Sequence, residues 1–134
     1  IALASNENLR VADDLTAVWD TVYPAGSLVQ GCVVVRSEFA AEHPAEIAQF
    51  LQEYGASIAF LSEDADAASE MIVNAGIFAK APVAKKAIPN CNICFITGAE
   101  MQEAMDGYLN IMFEVAPQSV GGKVPADDFY CILN

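Results

Sequence analysis

An uncharged run, Leu28-Val29-Gln30-Gly31-Cys32-Val33-Val34-Val35, leads through a polar break (Arg36, Ser37, Glu38) and Phe39-Ala40-Ala41-Glu42-His43-Pro44 into a long helical pattern over 45–61. Nothing else in the chain restricts its fold as strongly. A β-branched run without polar alternation reads as a strand buried on both faces, as in a parallel sheet covered by helices. Gly31 inside it is a place for a bulge or for close approach by backbone or ligand. The helix that follows has a start signal: Pro44 suits the first helical position, and Glu46 lies three residues after His43, as in a capping arrangement. Ile47, Phe50, Leu51, Tyr54, Ile58 and Leu61 recur at helical spacing and form one apolar stripe. Burying such side chains contributes about 1.5–3 kcal/mol each before chain entropy is set against it. Phe50→Asp is therefore expected to unfold the chain.

The remaining elements follow from local signals. Residues 1–5 read as the tail of a helix, 9–12 as a short strand closed by Asp13-Asp14, and 15–22 as a short helix carrying Val18, Trp19 and Val22 on one side. Tyr23-Pro24-Ala25-Gly26-Ser27 is turn chemistry. A helix over 65–75 has acids in its first turn, where the macrodipole favours them, and Gly76 suits its left-handed C-terminal cap. A short helix spans 82–88, opened by Pro82 and ended by Pro89. Residues 93–96 read as a strand or a packed extended link. Thr97-Gly98-Ala99-Glu100 has the capping-box pattern and leads a helix over 98–116, with Met101, Met105, Tyr108, Met112 and Val115 inward. A turn-rich tail covers 117–134. Helices with two or three strands belong to the α/β class.

The 134 residues are a one-domain length, and 54 % apolar composition argues against disorder. No apolar run approaches the ~20 residues needed to span a membrane. The first residues are no signal peptide, and Ile1 is not a start methionine, so the chain is expected to be a piece of something longer. Six Lys and Arg against eighteen Asp and Glu give a net charge of −12, which excludes a nucleic-acid partner and serves solubility. Lys80, Lys85 and Lys86 form either a docking patch or a solvated helix face.

Cys91-Asn92-Ile93-Cys94 has the spacing of a redox dithiol or of half a zinc site, but Cys32 and Cys131 are isolated and His43 is the only histidine. The expected role of the cysteines is as small buried core thiols, with redox or metal binding as the alternatives. His43 reads as a cap residue. Asp13-Asp14 and Asp127-Asp128 read as solvated turns. There is no readable nucleophile triad, phosphate loop or metal set, so no catalytic residue, cofactor or metal is assigned.

Read together, several segments resemble a known family. The stretch over 32–51, with Val33-Val34-Val35-Arg36, then Glu38-Phe39-Ala40-Ala41-Glu42-His43-Pro44 and an amphipathic helix, resembles the late strand–helix segment of ABC-transporter substrate-binding proteins of the nitrate/sulfonate/bicarbonate or thiamine-precursor type. Ala67-Ala68-Ser69-Glu70-Met71-Ile72, Ala87-Ile88-Pro89-Asn90-Cys91-Asn92, Pro117-Gln118-Ser119-Val120-Gly121-Gly122-Lys123-Val124-Pro125 and Asp127-Asp128-Phe129-Tyr130 extend the similarity over nearly the whole chain.

The resemblance implies a partial α/β lobe of the periplasmic-binding-protein-like type II fold, helix-rich with few strands. It implies that 1–134 is a single C-terminal fragment of a two-lobed, secreted or lipid-anchored receptor. Such a protein is not an enzyme; it captures a small molecule or anion outside the cytoplasm and delivers it to an ABC permease. Loops at strand ends would then supply the cleft, which nominates Tyr23, Gly26 and Ser27, with Trp19 as a stacking wall and Asn90 and Asn92 as amide donors and acceptors. The competing reading of each is ordinary turn or core duty. An incomplete lobe exposes apolar surface and strand edges, so a homodimer or strand exchange is expected. The alternatives are an enzyme of the same fold, resembling thiamine-pyrimidine synthases, and an interaction domain without a solute.

Overall fold

The computed structural model describes residues 6–24 and 26–133. The helix tail expected over 1–5 and Ala25 of the turn lie outside the described residues. Two compact units are formed, one of His43–Phe95 and the other of the chain on either side of it.

The His43–Phe95 unit is built from three helices: α3 (Pro44–Glu63), α4 (Ala65–Asn74) and α5 (Ala81–Ala87), the last running into a 3₁₀ turn over Ile88–Asn90. Pro44 opens α3, where its missing N–H leaves no bond unmade. Asp64 ends α3 and begins α4, its carboxylate accepting the Ala67 N–H at 3.0 Å. Gly76 stops α4 at φ +71°, and the Ile77 N–H reaches the Ile72 carbonyl at 3.1 Å, as in a Schellman motif.

The core of this unit is made of small residues. Ile47, Ala68 and Ala84 are its buried apolar side chains among the described residues, joined by Ser69, whose hydroxyl donates to the Asp66 carbonyl at 2.8 Å. Lys85 on α5 meets both oxygens of Asp66 on α4 at 2.6 Å. The α3 stripe is only partly covered: Leu51, Tyr54, Ile58 and Leu61 are half-buried, and Phe50 is 45 % exposed. Phe50 stacks on Tyr54 at 5.4 Å, and Tyr54 meets Phe95 edge-on at 6.1 Å. The expectation that Phe50→Asp unfolds the chain is thus corrected. What that substitution removes is one ring pair and half a side chain of burial.

The second unit contains α1 (Leu15–Val22), α2 (Ser37–Glu42) and α6 (Gly98–Val115), with 3₁₀ turns over Pro117–Val120 and Asp127–Phe129. Asp14 caps α1 by accepting the Thr16 and Ala17 N–H groups at 2.9 and 3.3 Å. Arg36-Ser37-Glu38, expected as a polar break, instead opens α2, where the Ala40 N–H bonds the Arg36 carbonyl. The capping box at the head of α6 is not made: Thr97 forms no side-chain cap bond. Gly98, the first residue of the helix, stands at φ +64°, outside the right-handed range that a capping box presumes.

The α/β class, and with it the periplasmic-binding-protein-like lobe, is overturned: among the described residues there are helices and no strand. The segments expected as strands over 9–12 and 28–35 are irregular, and 93–96, expected as a strand or an extended link, forms no strand. The reason is the absence of neighbours. A β-branched run gains its preference from packing on a pleated surface, and one strand has nothing to pair with. Val33, Val34 and Val35 are 57, 79 and 41 % exposed, and a Cβ at Gly31 would meet nothing within 4 Å, so neither a buried strand nor a close approach is found there.

Candidate functional site

Four of the six sequence-nominated residues meet around Trp19 in the second unit. Trp19, on the last turn of α1, directs its Nε1–H to the Ser27 hydroxyl at 2.8 Å. The Tyr23 ring packs on the indole with centroids 4.4 Å apart and planes at 37°. Asp20 accepts the Gly26 N–H at 3.1 Å, and Gly26 stands at φ +77°, a backbone state that tolerates glycine best. The Ser27 N–H closes the turn on the Pro24 carbonyl at 3.1 Å. The turn is therefore tied to α1 by two side-chain bonds and one ring contact, which fixes both the tryptophan and the loop that faces it.

A third ring arrives from far along the chain. Tyr108 of α6 lies 5.8 Å from Trp19 at 43°. Sequence reasoning placed Tyr108 in an inward stripe with the methionines of α6, and nothing local could have paired it with Trp19. Trp19, Tyr23, Ser27 and Tyr108 are all half-buried, so the three rings form a wall with surface still open to solvent. Such amphipathic rings offer faces for a flat or cationic solute and a polar tip for orientation.

The tail is fastened to the same helix. The Tyr130 hydroxyl donates to Asp106 at 2.5 Å, and the Gln102 amide donates to Asp127 at 3.0 Å. Burial, the bond to Asp106 and the nearby charges of Asp106 and Asp127 push the Tyr130 phenol up to about 12. Asp127, read from sequence as a solvated turn residue, is thus one of two carboxylates that hold the tail to α6.

Asn90 and Asn92 are not part of this cluster. Both belong to the His43–Phe95 unit, where the Asn90 amide donates to the Lys86 carbonyl in the last turn of α5 at 3.0 Å. Asn92 stands at φ 50°, where a short polar side chain is best tolerated. His43 makes no side-chain cap bond to the helix it precedes. Its Nδ1 lies 3.4 Å from the Glu46 carboxylate, which backbone and His43 hydrogen bonding hold below the usual carboxylate range.

All four cysteines, Cys32, Cys91, Cys94 and Cys131, are exposed and unbridged, which corrects the buried-thiol expectation. They sit in irregular segments or just after a 3₁₀ turn, where no second layer covers them. Among the described residues no group of three or more His, Cys, Asp or Glu is placed to hold a metal ion, and no helix is long and apolar enough to cross a membrane.

Comparison with known proteins adds no relative to this geometry: no protein-family model, no curated protein and no solved structure matches the chain.

Proposed function

We propose that this chain serves as the solute-binding component of an ABC import system, taking up a small molecule on the outer side of the cytoplasmic membrane and passing it to a permease. The observation that carries the reading is the wall of Trp19, Tyr23 and Tyr108, tied to the 23–27 turn through Ser27 and Asp20. It supports a binding role because the indole is held by a bond at its edge while all three rings stay half-exposed. The resemblance of 117–125 and 127–130 to substrate-binding proteins supports the transport context. The reading places solute recognition in an aromatic wall of a helical unit and does not call for a sheet.

Isothermal calorimetry with a panel of small cationic, neutral heteroaromatic and anionic solutes tests it. One class is expected to bind, and Tyr23→Ala is expected to weaken that binding by about 1 kcal/mol or more, the scale of one aromatic contact. No heat with any class, or an affinity unmoved by Tyr23→Ala, contradicts the reading.

A further inference from the structure

We infer that Cys91 and Cys94 form a redox-active pair, whose thiols close to a disulfide by exchange with a small-molecule disulfide such as glutathione disulfide. Both residues belong to the His43–Phe95 unit, so the pair stands apart from the aromatic wall and does not depend on a solute there.

Two observations narrow what the Cys91-Asn92-Ile93-Cys94 spacing can serve. Both thiols are free and exposed, so neither packs a core. Among the described residues no three or more His, Cys, Asp or Glu converge, so the pair lacks the further ligands that a structural zinc site takes. Disulfide exchange needs neither a core nor a third ligand. It needs two accessible sulfurs that can reach each other.

The loop that carries them is fastened at both ends and free between. At its start the Asn90 amide donates to the Lys86 carbonyl at 3.0 Å, and the Cys91 N–H bonds the Ile88 carbonyl at 3.1 Å. The Cys91 thiol donates to the Ala87 carbonyl at 3.2 Å, which keeps its sulfur at the end of α5. At the far end the Phe95 ring meets Tyr54 edge-on and lies 3.0 Å from where a Cβ on Gly55 would stand. Residues 92–94 make no backbone hydrogen bond to another described residue. Asn92 already stands at φ 50°, in the left-handed region that turns assign to Asn. Three residues span at most about 10 Å, and a disulfide needs Cα atoms about 4.4–6.8 Å apart. Closure therefore re-folds one short loop, breaks no backbone bond and gives up only the weak thiol bond to Ala87.

The exchange runs in two steps. One cysteine sulfur, losing its proton, attacks a sulfur of glutathione disulfide; that S–S bond breaks, one glutathione leaves, and the other stays as a mixed disulfide. The second cysteine, also losing its proton, attacks the protein sulfur of that mixed disulfide and expels the second glutathione. Two protein thiols are oxidised to one disulfide, and one glutathione disulfide is reduced to two glutathione thiols.

The test treats the purified full-length chain with glutathione disulfide, quenches it in acid and maps its tryptic peptides by mass. The peptide over 87–123 contains Cys91 and Cys94 and no other cysteine. It is expected to lose two hydrogens, to carry no glutathione, and to recover its original mass when reduced. In Cys94→Ser, with circular dichroism confirming retained helix, glutathione should stay on Cys91. That adduct should be at least about tenfold more abundant than in the unsubstituted chain, where the second thiol attacks at millimolar effective concentration or above. The mapping of the unsubstituted chain decides the matter even if the variant fails to fold. Glutathione retained on Cys91 or Cys94 there, both thiols left unmodified, or a bridge from either to Cys32 or Cys131 overturns the pairing.

Discussion

Replacing Tyr130 by Phe removes one hydroxyl and leaves its ring packing. The ring meets Phe129 edge-on at 5.3 Å, a contact that Phe can repeat. The loss is confined to the O–H donated to Asp106 at 2.5 Å, a bond to a charged acceptor. Such bonds contribute about 1.5–3 kcal/mol when water is excluded. Tyr130 is half-buried, so solvent competes, and the expected cost falls to about 1 kcal/mol. For a two-state unit of this size that lowers the melting midpoint by about 4–8 °C.

The pH dependence separates this bond from generic packing. The phenol rises from 10.0 to about 12 on folding, so the folded state holds this proton more firmly than the unfolded state does. The resulting stabilisation is complete below the unfolded value and is lost as pH climbs through the folded one. Wild type and Tyr130→Phe should therefore differ near neutral pH and converge as pH passes from 10 to about 12. Urea unfolding followed by Trp19 emission reports on the same unit. Identical midpoints near neutral pH, or a gap that persists unchanged above the folded value, would refute the reasoning.

Gly76→Ala places a Cβ at φ +71° and should cost about 1 kcal/mol through backbone strain alone, since nothing lies within 4 Å of that Cβ; an unchanged urea midpoint would contradict the cap assignment. Lys85→Ala should cost no more than about 0.5 kcal/mol and be neutral at high salt, because both partners of the Asp66 pair are largely exposed, and a larger loss would show that the pair is shielded from solvent. All four thiols should react with a chromogenic disulfide in the folded protein; burst kinetics for fewer than four would contradict the exposed placement. The exposed valines at 33–35 lead us to propose self-association, seen by light scattering as a dimer or larger species and reduced by Val34→Lys, whereas a clean monomer at high concentration would contradict it.

The helices are readable in the sequence because their signals are local. Asp64 before a helix, Pro44 at its first turn and Gly76 just past its end act on the atoms of neighbouring residues, and no distant partner is needed. The 28–35 run shows the opposite case. A β-branched composition states what would stabilise a strand if a sheet were present, but a sheet is a non-local object and composition cannot supply it. Thr97 marks a limit of local rules as well, since its capping-box pattern is undone by the left-handed backbone of the very next residue.

At the site, Trp19, Tyr23, Gly26 and Ser27 could be grouped from sequence because one helix turn and one loop connect them. Tyr108 could not, because its helical spacing is equally that of a core position, and only the approach of α6 to α1 distinguishes the two. Asp106 and Tyr130 are likewise separated by the whole 3₁₀ tail. The amide and backbone chemistry of Asn90 and Asn92 is used locally, in a bond to the last turn of α5 and in a left-handed backbone.

The central claim is that the solute sits on the Trp19 wall, and the Trp19 indole N–H tests it most directly. That group gives a single indole cross-peak in a ¹⁵N–¹H correlation spectrum, and its proton lies in the bond to Ser27 at 2.8 Å. Titration with the solute class that gives heat in calorimetry is predicted to move this peak progressively to a plateau, with the backbone amides of Asp20, Gly26 and Tyr108 following the same curve. An indole peak that stays fixed through the titration would contradict the account.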